Sequence, residues 1–166
     1  MKDLILIRHA KSSWADAGQT DFDRPLNDRG KRDAPLMAIR LLEKGIRVQQ
    51  VFSSAAKRAL KTSRLMMETW NLDAQNITVF PELYLAPTEE IGAVISRASD
   101  GYSSLALVAH NPGITEFINT LTENRLDDLP TCGMVGVRIH TDTWADWANA
   151  KKEWLFIDYP KRDPSL

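Results

Sequence analysis

Leu4-Ile5-Leu6-Ile7-Arg8-His9 sets four apolar residues in a row, then a guanidinium and an imidazole. A continuous apolar run of this length, from Asp3 to Arg8, reads as a strand buried on both faces, as in a parallel sheet covered by helices. In such sheets ligands bind outside the carboxyl ends of the strands. Arg8 and His9 therefore stand where chemistry is expected. The run is too short for a signal peptide, and no stretch approaches the ~20 apolar residues of a membrane span. The expectation is a cytoplasmic protein with no membrane partner.

After this strand the polar segment Lys11–Arg29, with Gly18 and Pro25, reads as an irregular loop. A helix is predicted over Arg29–Glu43, capped by Asn27 or Asp28 and ended by Gly45. A short strand, Gln49–Phe52, is followed by Ser53-Ser54, either of which can cap a helix over Ala55–Trp70. Ile77–Phe80 is a third strand closed by Pro81, and Thr88–Ser96 a helix. Ser104–Ala109 is an apolar strand followed by His110-Asn111-Pro112-Gly113 and a helix to Thr122. Met134–Ile139 and Glu153–Ile157 are strands that pair as a hairpin across Trp144–Ala150. Alternating strands and helices give an α/β fold of three layers, α/β/α, with a mostly parallel central sheet.

The 166 residues fit one domain spanning 1–166, long enough to bury a core without staples. Lys plus Arg is 21 and Asp plus Glu 22, so no global charge argues for nucleic acid. Any anion must be held by a local arrangement. Cys132 is the one cysteine, which excludes an internal disulfide and a thiolate metal cage. It reads as a small buried hydrophobe. His140, at a strand end, packs or faces solvent, and Trp144, Trp147 and Trp154 form a packed hairpin corner.

Three strand ends deliver Arg8-His9, Ser53-Ser54 with Arg58 one turn on, and His110. Taken singly, each is more often structural or solvated than catalytic. Together they describe an oxyanion site. Guanidiniums supply fixed, forked donors that match phosphate oxygens and keep their charge. A helix start adds free N–H groups and a positive dipole end. A neutral imidazole can attack phosphorus in line, and a protonated one can stabilise charge on the equatorial oxygens. Positioning alone can supply roughly 7–11 kcal/mol in the best intramolecular cases. No third metal ligand with recognisable spacing stands beside either histidine, and arginines repel a cation. No metal and no other cofactor is expected.

These motifs resemble the histidine phosphatase superfamily, which includes phosphoglycerate mutases. Leu4-Ile-Leu-Ile-Arg8-His9-Ala10 is similar to its Arg-His-Gly motif, with alanine for glycine. Leu26-Asn-Asp-Arg-Gly30 is similar to its Leu-Thr-x-x-Gly helix start, and Ser53-Ser54 through Arg58-Ala59 to Thr62 resembles its Ser-Ser-x-x-x-Arg-Ala-x-x-Thr motif. Val108-Ala109-His110 resembles the segment of its late histidine. The resemblance implies a phosphoglycerate mutase-like fold. It makes His9 the phosphorylated nucleophile, and Arg8, Arg58 and His110 the phosphate pocket. Ser12 would add a hydroxyl.

The chain departs from the larger members at further positions. Ala15 stands where mutases tend to have asparagine, and Leu85 falls where many members carry a catalytic glutamate. The compact SixA-type phosphohistidine phosphatases, which share the Arg24-Pro25-Leu26 element, resemble it more closely. Their leaving imidazole needs an acid less than an alkoxide does, and acid catalysis is worth ~10²–10⁴. Glu82 and Asp21 are the candidate proton donors.

Three readings follow. The first is a hydrolase that removes phosphate from phosphohistidine in a protein, such as a histidine-containing phosphotransfer protein. The second is a phosphatase for small phosphate esters on the same residues, and the third a non-catalytic phosphate-binding module. Attack requires neutral His9, so the rate should fall as pH drops through its pKa.

Overall fold

The Leu4–Ile7 run is buried completely, and its alternate residues face opposite layers. Leu4 and Leu6 enter one core cluster, and Ile5 and Ile7 the other. Each fully buried Leu or Ile contributes about 1.5–3 kcal/mol, so this segment anchors both halves of the core. The computed structural model describes residues 1–163 and 165. In it the run is strand β1 (Lys2–Arg8) of a six-stranded sheet.

The chain continues as α1 (Asp28–Glu43), β2 (Gln50–Ser54), α2 (Lys57–Thr69), β3 (Ile77–Phe80) and α3 (Thr88–Ile95). It ends with β4 (Ser104–Ala109), α4 (Gly113–Leu121), β5 (Met134–Ile139) and β6 (Lys152–Asp158). The sheet order is β3-β2-β4-β1-β5-β6. The pairings among β1 to β4 are parallel, whereas β5 pairs antiparallel with both β1 and β6. Apolar faces of α1 and α2 cover one side, and α3 and α4 the other. This is the three-layer, mostly parallel architecture expected from the alternation of elements.

Local signals explain most boundaries. Asn27, not Asp28, caps α1: its side chain accepts a hydrogen bond from the Gly30 N–H at 2.8 Å. Gly45, at φ +79, stands just past its end. A Cβ on Gly30 would lie 2.2 Å from the Lys11 carbonyl oxygen, so glycine is what lets the loop after β1 rest on the start of α1.

Two expectations are corrected. β2 runs two residues beyond Phe52, because Ser53 and Ser54 pair with Val79 and Phe80 of β3. Both serines are therefore buried strand residues. The residue that caps α2 is Ala56, with no side-chain bond, although the Ala56 N–H does reach Ser54 Oγ at 3.2 Å. The Lys11–Arg29 segment is also not irregular throughout. It holds a 3-10 turn at Asp21–Asp23 and a bridge between Ser12 and Leu26.

The hairpin corner is as expected. Trp144 is fully buried, and Trp147 packs on Phe117 with ring centres 5.4 Å apart. Cys132 is buried, and burial raises its thiol pKa far above the usual range. His140 is exposed, 3.3 Å from the Glu153 carboxylate. Among the described residues no helix is long and apolar enough to cross a membrane.

Candidate active site

Sheet register assembles the site. β2, β4 and β1 lie side by side and run parallel, with Arg8 opposite Ala109 and Ser53 opposite Val108. His9, His110 and Ser54 consequently emerge from three adjacent strands at one rim. Arg58, in the first turn of the helix that leaves the same rim, is 2% exposed. All four residues expected to share a pocket, Arg8, His9, Arg58 and His110, line one open cavity of about 270 Å³, together with Ser12.

The His9 ring is fixed by its partners. Nδ1 lies 2.8 Å from the Ala10 carbonyl oxygen, an acceptor only, so Nδ1 carries the proton and donates it there. That leaves a lone pair on Nε2, which accepts from Arg58 Nε at 3.3 Å. Burial pushes the His9 pKa down to about 4, and the charges of Arg58, Arg8 and Arg24 push the same way against the Ala10 bond. His9 is neutral at neutral pH.

His110 stands beside it, ring centres 5.1 Å apart, with Nε2 2.7 Å from Ser54 Oγ. Burial first, then His9 and Arg58, lowers its pKa to about 3. The second imidazole, which charge stabilisation would want protonated, is thus also neutral with these neighbours. A phosphoryl dianion brought beside it would act in the opposite direction.

The guanidiniums are tethered by loops. Arg58 donates from Nη1 to the Asp21 carbonyl at 2.6 Å and from Nη2 to the Asp21 carboxylate at 3.0 Å. Arg8 donates from Nη1 to the Leu129 carbonyl at 2.9 Å and lies 3.5 Å from the Asp128 carboxylate. Among the described residues, the buried side-chain polar atoms without a partner are Arg8 Nε and His110 Nδ1, and both belong to this site. A buried orphan of this kind costs about 1–3 kcal/mol.

The two candidate proton donors fare poorly. Glu82 does not line the cavity. The 3-10 turn after β3 sets it outward, where it pairs with Arg97 at 3.2 Å. Asp21 does line the cavity, but it is held ionised at a pKa of about 2. The Tyr84 hydroxyl is the main cause, with Arg58 and Arg24 adding to it. At neutral pH it accepts hydrogen bonds and has no proton to give.

Sequence reasoning missed several members. Arg24 is buried in the cavity wall, donates to Ser12 Oγ at 2.8 Å, and stacks 3.5 Å from the Trp14 ring centre. The Arg24-Pro25-Leu26 element was the available signal. Tyr84 enters through Asp21, 63 residues away, which no spacing could show. Thr62 ties β1 to α2: its Oγ1 accepts from the Ala10 N–H at 3.0 Å and donates to the Arg58 carbonyl at 2.8 Å. Among the described residues no three metal-ligating side chains cluster.

Residues 4–97 match the sequence profile of the histidine phosphatase superfamily (branch 1). An uncharacterised chloroplastic protein of Arabidopsis thaliana is 30% identical over 151 residues, 86% of this chain and 69% of that protein. A 2,3-bisphosphoglycerate-dependent phosphoglycerate mutase of Dichelobacter nodosus is 38% identical over 77 residues, covering 44% of this chain and 30% of the mutase. Among solved structures, a candidate phosphohistidine phosphatase SixA from Agrobacterium tumefaciens superposes with TM-score 0.80 at 25% identity, covering 96% of this chain and 98% of that one. The protein histidine phosphatase SixA complexed with tungstate gives TM-score 0.79 at 20% identity, over 95% and 97% of the two chains.

Proposed function

This chain belongs to the histidine phosphatase superfamily, and from that premise we propose that it is a phosphatase that removes phosphate from phosphohistidine in proteins, through a phosphohistidine on its own His9. The observation that carries the reading is the state of His9: Nδ1–H bound to a carbonyl, Nε2 unprotonated, and the ring neutral among guanidiniums. Nε2 attacks phosphorus in line as the bond from phosphorus to the substrate imidazole breaks, and that imidazole leaves with a proton it already carries. Water then attacks phosphorus, the bond to Nε2 breaks, and inorganic phosphate departs. Arg8, Arg58 and His110 hold the non-bridging oxygens throughout, with Arg24 beside them.

Two features favour a phosphohistidine over a phosphate ester. The cavity wall carries Leu85 where the resemblance places an acid, and neither Glu82 nor Asp21 offers a proton there. The cavity is also open, and its rim carries Trp14 at 73% and Leu85 at 55% exposure, suited to a protein surface. The short stretch shared with a phosphoglycerate mutase supports the second reading, a phosphatase for small esters.

A substrate panel separates them. A histidine-containing phosphotransfer protein phosphorylated on its histidine should lose its phosphate, and sugar phosphates should turn over far more slowly. Faster hydrolysis of the esters would overturn the phosphohistidine assignment. Quenching without acid, followed by mass spectrometry, should find phosphate on His9. Its absence during turnover would rule out the covalent route, and with no turnover either the chain would be a binding module.

A further inference from the structure

A cleft of about 500 Å³ adjoins the catalytic cavity. The same short turn and the same helix divide between them: Asp21 and Arg58 line the cavity, while Phe22, Asp23 and Lys57 line the cleft. Its apolar lining includes Phe22, Leu26 and Leu60. Its cations are Lys31 from α1 and Lys57, Lys61 and Arg64 from one side of α2.

Exposed lysines usually mean only a solvated face. Three observations set these apart. All four cations are exposed, yet among the described residues none has an ion pair or a side-chain hydrogen bond, in a chain whose charges balance overall. Lys57 and Lys61 also sit in the first two turns of α2, which has no acid in its first turn, so they oppose the helix dipole there. An anion in the cleft would offset that repulsion. Finally, Asp23, the one acid in the lining, is already bonded to the Thr20 hydroxyl at 2.8 Å.

We propose that this cleft docks an acidic, amphipathic segment of the phosphorylated protein whose phosphohistidine enters the neighbouring cavity. Carboxylates meet the four cations, and an apolar side chain rests on Phe22 and Leu60. The proposal rests on the reading of the substrate as a protein. A small phosphorylated molecule held at His9 and Arg58 has no use for unpaired cations as far as two turns along α2. Complementary charge of this sort raises encounter rate and selectivity more than it raises raw affinity.

The test uses Lys61→Glu/Arg64→Glu in the full chain, both positions being exposed and outside the cavity lining. The two probes are a phosphorylated histidine-containing phosphotransfer domain with an acidic surface, and free N-phosphohistidine. kcat/KM on the domain should fall about tenfold, through KM, with a weaker salt dependence, while turnover of the small compound stays within about twofold. Equal rates of variant and parent on the domain would overturn docking, and so would equal losses on both substrates, which signal only a general field.

A second measurement does not depend on catalysis. Amide shifts at Phe22, Leu60 and Lys61 should follow titration with the unphosphorylated domain, and vanish in the variant. Shifts without any dephosphorylation of the domain would retire the phosphatase reading and keep the docking site. Shifts produced by an RNA oligonucleotide and not by the domain would overturn it.

Discussion

Arg58 and Lys57 are neighbours in sequence, and they belong to different kinds of site. Arg58 is 2% exposed, and both its nitrogen arms and its Nε are committed to Asp21 and His9. Lys57, like Lys61 and Arg64 beyond it, is exposed and without an ion pair among the described residues. A buried guanidinium must be positioned, because its desolvation is offset only by good geometry. A solvated ammonium needs no such geometry and can adapt to many partners. On the proposed reading the cavity takes one group, and the cleft a class of surfaces.

The sharpest way to test this contrast is to remove the group the cavity is built around. His9→Ala should lower kcat on the phosphorylated domain by at least ~10⁴, with trapped phosphate abolished. Substantial turnover in that variant would show that the cavity is not organised around His9. Arg58→Ala comes next, at roughly 10²–10³ in kcat/KM. Arg58→Lys should recover only a small part of that loss, because an ammonium cannot make the three directed bonds. Full recovery would place Arg58 with its adaptable neighbours.

Acid comes third. His9 and His110 are held below the ordinary histidine pKa, so the unfolded chain binds more protons and stability falls as pH drops from 6.5. By pH 5 each should cost on the order of 2 kcal/mol, read as a chemical-denaturation loss that the double change His9→Asn/His110→Asn removes. The same shift holds the acid limb of kcat/KM near pH 4, where the free His9 titrates, rather than near 6.5. A limb at 6.5 would mean that the ring is solvated.

Thr62→Val should cost about 1–3 kcal/mol by leaving the buried Ala10 N–H without an acceptor, visible as a lower Tm. Smallest is Tyr84→Phe. It removes the main cause of the low Asp21 pKa, so that value should rise toward the ordinary carboxylate range in a carboxyl NMR titration, with activity changing about threefold. An unmoved Asp21 would assign its state to the arginines alone.

The parts of the cavity fixed by strand periodicity were legible. Leu4–Ile7 and Ser104–Ala109 read as buried strands, and their parallel register is what sets His9 beside His110. What was misread depends on contacts between distant segments. β2 extends through Ser54 because β3 pairs with it, whereas a local reading makes the serines helix caps. Arg24 and Asp21 reach the site through a loop whose 3-10 turn is held by Arg58 and Tyr84 as well as by the loop's own Thr20–Asp23 and Arg24–Asp21 bonds. Glu82 looked close on sequence grounds, and one tight turn sends it to Arg97.

The position of β4 has a consequence for how the molecule comes into being. It lies between β1 and β2, which share no ladder. A nascent chain ending before Ser104 would carry both His9 and Arg58, but lack the strand that joins their two ladders into one rim. Competence should thus appear abruptly during synthesis, as the central strand inserts, and a ribosome-stalled series of increasing length should show it as a single step.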